Sequence, residues 1–345
     1  MHSERVIIYR EAINEALRLA MRRDPNVILI GEDEAGGAGC APSARDAWGG
    51  AFGVTKGLIQ EFGPERVIDT PISEMAFIGA AVGAAMTGLR PVADLMYVDF
   101  LGSCLDTILN QAAKLRYMSG GKVTLPITIR TTVGAGMALG AQHSDCLYAM
   151  FVHIPGLKVV APATPYDAKG LLISAIRDNN PVIFVENKTL YERKGPVPEE
   201  EYLVPIGQAE VKREGHDVTI VAISRMVEVA LEAAIELERN SVSAEVIDPR
   251  SLEPLDMTTI LASVKKTGKA IVVDEDYPRC GMASELAAAI TADGFEFLEG
   301  PVERITPPAV HVPFSPVMEK FYIPDAQRVI DCALRITRCK SAATR

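Results

Sequence analysis

With 345 residues, 48% of them hydrophobic, the chain has more material than one ordinary core and lacks the low hydrophobicity and high charge density of a disordered protein. Its net charge of -10 argues against nucleic acid and against an anionic membrane surface, both of which are bound through Lys and Arg. The six cysteines include no CxxC pair, which disfavours zinc, and a chain this long needs no disulfides, so the expected compartment is the reducing cytoplasm. The start, Met1-His2-Ser3-Glu4-Arg5, has no apolar signal-peptide core, and the longest apolar stretch, 75–86, falls short of the ~20 residues of a spanning helix.

In chain order, Val27-Ile28-Leu29-Ile30 reads as a strand closed by Gly31. Ala35-Gly36-Gly37-Ala38-Gly39 and Trp48-Gly49-Gly50 then form one long loop that either lets backbone approach a ligand or partner or simply covers surface. Residues 75–87 read as a helix followed by Gly88, with Thr70 as its N-cap and Pro71 at its first position. Its run of small apolar residues predicts burial nearly all round. Strands are predicted at 91–96, 127–130, 157–160 and 182–185, apolar enough to be buried on both faces of a mostly parallel α/β sheet. Residues 188–205, rich in Lys, Glu and Pro and without periodicity, read as an exposed linker. Strands at 218–223, 244–247 and 270–273, with helices at 226–239 and 282–292, predict a second, smaller α/β domain. Domains are therefore expected at 1–187 and 207–345, joined by 188–206.

Two side chains are the main candidates for chemistry. Glu74, in the first turn of the predicted helix, either complements the helix dipole or is a buried carboxylate able to exchange a proton with a cofactor; burial and the dipole push its pKa in opposite directions. His143, in Gln142-His143-Ser144-Asp145, lies in a loop after a strand, where ligand-facing residues gather in α/β sheets. It is either a proton donor near neutral pH or a structural partner of Asp145. Tyr97 and Phe100, near Gly102, either stack on a planar ligand or pack in the core. His153 and His216 fall in turns and His311 in a proline-rich loop, and no histidine pair has helical zinc spacing. There is no P-loop, no GxGxxG, no GxSxG elbow, and no Gly-Asp-Gly with a downstream Asn.

Asp69-Thr70-Pro71-Ile72-Ser73-Glu74, Gln142-His143-Ser144, His153-Ile154-Pro155-Gly156-Leu157-Lys158-Val159-Val160 and Pro165-Tyr166-Asp167-Ala168-Lys169-Gly170 together resemble the β subunits of thiamin-diphosphate-dependent 2-oxo-acid dehydrogenases, over about residues 6–335. Gly31-Glu32-Asp33 with the glycine loop, Asp46-Ala47-Trp48-Gly49-Gly50 and Gly53-Val54-Thr55-Lys56-Gly57 bring it closest to the acetoin dehydrogenase branch. The resemblance implies a pyrimidine-binding domain and a transketolase C-terminal-like domain. It makes Glu74 the carboxylate that hydrogen-bonds the aminopyrimidine, His143 the active-site histidine near the reacting carbonyl and lipoyl group, and Phe100 the aromatic on the pyrimidine, with Ile72 and Met96 as walls. It further implies a potassium site at Ile127, Ala175, Ile176, Asp178 and Asn180. Magnesium and the diphosphate would be held by an α subunit, in an α2β2 heterotetramer docked on a lipoyl acyltransferase core. The alternatives are a pyruvate or branched-chain 2-oxo-acid dehydrogenase β subunit, a non-catalytic assembly subunit of the same fold, and half of a split transketolase.

Overall fold

The computed structural model describes residues 5–36 and 48–338. The expectations placed on Met1–Glu4, on Gly37-Ala38-Gly39, on Asp46-Ala47 and on Cys40 and Cys339 lie outside the described residues. The chain divides into two compact units, one of Met1–Val133 and Met150–Ile206, the other of Gly134–Ala149 and Gly207–Arg345. No helix among the described residues is long and apolar enough to cross a membrane.

The first unit runs β1 (Val6–Ile8), α1 (Tyr9–Arg23), β2 (Val27–Glu32), α2 (Leu58–Phe62), β3 (Val67–Thr70), α3 (Glu74–Met86), β4 (Arg90–Tyr97), α4 (Leu101–Asp106), a π-helical turn (Thr107–Ala112), α5 (Leu115–Met118) and β5 (Thr128–Val133). After α6 (Tyr148–Val152) come β6 (Lys158–Val160), α7 (Pro165–Arg177), β7 (Val182–Asn187) and β8 (Lys194–Pro196). Its main strands lie in the order β6-β7-β5-β4-β2-β3, all parallel. Every residue of β5 and β7 is buried, as parallel strands covered on both faces must be. On one face α1, α2 and α7 share a core with the sheet, through Ile13, Leu17 and Met21 of α1, Leu58 of α2 and Leu171 and Leu172 of α7. The start of α7 follows from local chemistry: the Thr164 side chain accepts from the Asp167 N–H, and Pro165 occupies the first turn.

Three expectations for this unit are corrected. Residues 188–205 are not an exposed linker: β8 pairs antiparallel with β1, and Lys188, Leu190, Tyr191, Val197 and Val204 are buried. The buried Lys169 ammonium donates to the Pro198 and Glu199 carbonyls at 2.6 and 3.0 Å, while a Cβ on Gly170 would stand 2.4 Å from Val204. Secondly, α3 is not buried all round. Phe77, Ile78, Ala81, Val82 and Ala85 face inward, whereas Met75 is 64% exposed and Met86, Ala76, Ala80 and Gly83 are also open. Nor is Thr70 its N-cap. Thr70 is paired in the sheet opposite Glu32, so the helix cannot begin until Ser73, and Glu74 is its first residue.

The second unit contains β9 (Glu210–Arg213), β10 (Val218–Ala222), α8 (Met226–Arg239), β11 (Ala244–Asp248), β12 (Ser251–Glu253), α9 (Met257–Thr267), β13 (Ala270–Val273), α10 (Met282–Gly294), β14 (Glu303–Ile305), α11 (Pro316–Tyr322) and α12 (Ala326–Arg338). Its sheet has the order β14-β13-β10-β11-β9, parallel except for the edge strand β9. Segment 134–149, sequentially distant, belongs to this unit.

Candidate active site

In the first unit the chain leaves β2 for its neighbour β3, then returns across β2 through α3 to β4 on the other side. Connections diverging in this way leave a crevice beyond the carboxyl ends of β2 and β4, the usual ligand position in an open parallel sheet. Glu74 is half-buried at the first position of α3, the helix that joins β3 to β4. The Ser103 hydroxyl lies 3.3 Å from Glu74 Oε2 and 2.8 Å from the Phe100 carbonyl oxygen. It has one proton and can serve one acceptor at a time, so the carboxylate keeps most of its accepting capacity. The surroundings are acidic: burial, then Asp33 and Glu74, raises the Glu32 carboxyl. Burial, then the Glu74 charge, pushes the Cys104 thiol up to about 12.

The structure brings Glu74, Phe100 and Met96 into one neighbourhood. The Phe100 ring meets Tyr97 edge-on with centroids 5.4 Å apart, and Tyr97 in turn meets Phe52 at 5.7 Å. Met96 takes a left-handed conformation, φ 61°, and its N–H donates to Asp94 Oδ1 at 2.8 Å. A carboxylate with spare acceptor sites beside an aromatic cluster fits an aminopyrimidine, which offers a planar face and N–H donors. Ile72 is 76% exposed, so among the described residues of this chain it walls no closed pocket.

Behind Met96 lies a buried polar network absent from the sequence reading. Arg130 donates to Asp94 Oδ2 at 2.9 Å and to both Glu186 oxygens at 2.7 and 3.1 Å, and Tyr191 OH donates to Glu186 at 2.7 Å. Glu34, also buried, is hydrogen-bonded to Asp94; burial, then the Asp94 charge, holds its carboxyl well above the ordinary range. Charged residues inside apolar strands were the available signal. The pairings depend on β4, β5 and β7 being neighbours, which sequence order hides.

The five residues expected around potassium also come together, at the end of α7. The Ile176 and Asp178 carbonyls accept from Arg90 Nη1 at 3.0 and 3.1 Å, the Ala175 carbonyl from the Asp178 N–H at 3.1 Å, and the Ile127 carbonyl from the Val182 N–H at 2.9 Å. Asp178 Oδ1 accepts from the Asn180 N–H at 2.9 Å. Burial opposes ionisation of Asp178, but its bonds to Lys158 and Asn180 hold the carboxyl below its usual value. Each carbonyl retains a second lone pair and a helix C-terminus favours positive charge, but Arg90, Lys158 and Arg116 already bond to this oxygen set, so a monovalent cation would have to share it with them.

His143 belongs to the second unit. It is half-buried, and its N–H donates to the Gly140 carbonyl at 3.4 Å. Asp145 Oδ1 accepts from Tyr277 OH at 2.6 Å. A cavity of about 570 Å³ opens beside it, lined by Asp145, Tyr277, Pro278, Arg279, Ala309, Val310 and His311. Tyr277 and Arg279 carry no local sequence signal, and His311 reads from the sequence as part of a proline-rich loop. Nearby, buried Asp274 accepts from Tyr148 OH and from the Ala283 N–H at 3.0 Å, and burial, then the Asp274 charge, raises Asp276 to about 8.

Residues 5–194 match the transketolase pyrimidine-binding domain family, and residues 207–329 the transketolase C-terminal domain family. The chain is 55% identical to the acetoin:2,6-dichlorophenolindophenol oxidoreductase subunit beta of Bacillus subtilis (strain 168), covering 96% of this chain and 97% of that protein. It is 54% identical to the protein of the same name from Cupriavidus necator, with 93% and 95% covered. Identity is 44% to the pyruvate dehydrogenase E1 component subunit beta-2 of Oryza sativa subsp. japonica, with 94% and 85% covered. Among solved structures, a split gene transketolase described as an inactive beta4 tetramer superposes with a TM-score of 0.74 at 24% identity over 96% of this chain and 98% of that one, a likeness of fold.

Proposed function

The chain belongs to the family of acetoin dehydrogenase and pyruvate dehydrogenase E1 β subunits, and from that premise we propose that it is the β subunit of a thiamin-diphosphate-dependent enzyme that cleaves acetoin oxidatively and passes the acyl unit to a lipoyl group. The observation that carries this reading is Glu74, half-buried at the first position of α3 and under-bonded beside Phe100. The acetoin branch is favoured over pyruvate by 55% against 44% identity. Residues 1–187 would serve the pyrimidine and 207–345 the C-terminal role.

Thiamin diphosphate, when bound, supplies the nucleophilic carbon and the electron sink. The Glu74 carboxylate would hold and exchange a proton at the pyrimidine ring nitrogen, which its spare acceptor sites permit. Phe100 and Met96 would fix the ring's orientation, with Met96 held in its left-handed turn by Asp94. His143 would donate a proton at the substrate oxygen or assist acyl transfer. Ile127, Ala175, Ile176, Asp178 and Asn180 would hold a potassium ion that fixes the end of α7. With no Gly-Asp-Gly motif here, magnesium and the diphosphate fall to an α subunit, so activity requires an α2β2 assembly docked on a lipoyl acyltransferase core. The exposed apolar side chains Ile72, Met75 and Met86 support a partner face beside Glu74.

The test is dye reduction by this chain co-expressed with an α partner, with thiamin diphosphate and magnesium, comparing acetoin, pyruvate and branched-chain 2-oxo acids. Activity on acetoin that Glu74→Gln abolishes is expected. Activity on a 2-oxo acid alone would overturn the branch, and a well-formed complex inactive on every substrate would return the chain to the assembly-subunit reading.

A further inference from the structure

The loop that carries His143 is tied into its unit by a residue outside any role assigned so far. The Gly134 N–H donates to the Asp145 carbonyl at 3.1 Å, closing residues 134–145 at their base. Within the loop Gly136, Ala138 and Gly140 all have left-handed backbones, φ 119°, 54° and 73°. Ala138 bears a side chain in that region, a conformation that persists only where the surroundings impose it. What imposes it is the carboxylate of Glu319 on α11, a residue 3% exposed, which accepts from the Gly136 N–H at 2.6 Å and the Ala138 N–H at 2.9 Å. Two backbone donors converging on one buried anion form a directional clamp. Arg225 adds a bond to the Ala135 carbonyl at 3.2 Å, and Tyr277 holds Asp145 on the limb that bears His143.

We propose that Glu319 is a positioning residue for His143, its carboxylate fixing the 134–145 loop and thereby the place of the imidazole during acyl transfer. The inference rests on the catalytic reading of His143 given above. Glu319 touches neither substrate nor cofactor; it acts through the two amides and the loop they define.

Glu319→Ala and Glu319→Gln are compared with the parent in the complex with the α partner. Hydrogen exchange over residues 134–147 should accelerate about 10-fold or more in Glu319→Ala, while strand 218–222 stays protected. The rate with a lipoyl-domain acceptor should fall about 10- to 100-fold, the scale of misplacing a reacting group by about 1 Å, with the thiamin diphosphate dependence unchanged. Glu319→Gln should be intermediate, since its amide oxygen can still accept from one N–H; it also serves as the variant of record if Glu319→Ala does not assemble. Parental exchange in the loop, or accelerated exchange with a parental transfer rate, would overturn the proposal. Full transfer by His143→Ala would overturn the role of His143 and this inference with it. A complex inactive on every substrate would instead overturn the proposed function, and the exchange comparison would then decide on the clamp alone.

Discussion

Glu186 and Glu74 lie in the same unit and are treated in opposite ways. Glu186 is fully buried, with both oxygens bonded to Arg130 and one also to Tyr191. Glu74 is half-buried, and its hydrogen-bond partner among the described residues is a serine hydroxyl at 3.3 Å whose shorter contact is to a carbonyl. A saturated carboxylate of the first kind holds strands together, because removing any partner leaves a buried charge exposed to a low dielectric. An under-bonded carboxylate of the second kind contributes little to stability and retains acceptor sites for an incoming donor. The difference separates a structural acid from one free to accept a ligand more clearly than burial alone.

The contrast can be broken at either end. Glu74→Gln should lower turnover about 10²- to 10⁴-fold, the usual scale of a lost proton-transfer group, while leaving the thermal midpoint of the complex in place. A large drop in the midpoint would place Glu74 with Glu186. Arg130→Met should do the reverse, destabilising the first unit by about 3–5 kcal/mol in denaturant titrations by stranding Asp94 and Glu186 without a cation.

A third acid cluster sharpens the comparison. Among the described residues no cation pairs with the buried Asp274 and Asp276, which are held by Tyr148 OH and backbone N–H groups, and Asp276 is raised to about 8. A carboxyl raised in the folded state binds its proton more tightly there than when unfolded. Its stabilisation is therefore fully present below the unfolded value of 3.8 and is lost as pH rises through about 8. The thermal midpoint should fall between about pH 4 and pH 8, and Asp276→Asn should flatten that slope by a few degrees, at about 2–4 °C per kcal/mol for a unit of this size. Smallest of all, Ser103→Ala should weaken cofactor binding no more than about 5-fold, since its proton is shared with the Phe100 carbonyl and a net neutral hydrogen bond is worth about 1 kcal/mol.

The sheet strands were legible because buried parallel strands demand β-branched runs, and the stretches at 182–185 and 270–273 could hardly be anything else. Glu74 was legible as a first-turn glutamate of α3, but the starting residue of the helix was not, because pairing between Thr70 and Glu32 is a tertiary event. Composition misled at 188–205, where Lys188 is buried and the buried Lys169 ammonium bonds the segment's carbonyls. The Arg130 network and the Glu319 clamp were invisible for a common reason. Each joins residues far apart in sequence, and no local pattern announces which strands become neighbours.

The second unit reaches back for segment 134–149, while the chain on both sides of it belongs to the first. That segment is synthesised before the strands and helices that receive it. Until α11 emerges the amides of Gly136 and Ala138 lack their acceptor, and until Asp274 emerges Tyr148 lacks its own. The histidine loop therefore cannot settle during synthesis of the first unit and must wait for nearly the whole chain, a high-contact-order step and a slow one. A fragment starting at Gly207 would be born without part of its own interior, so cutting the gene between residues 206 and 207 would leave the second unit incomplete.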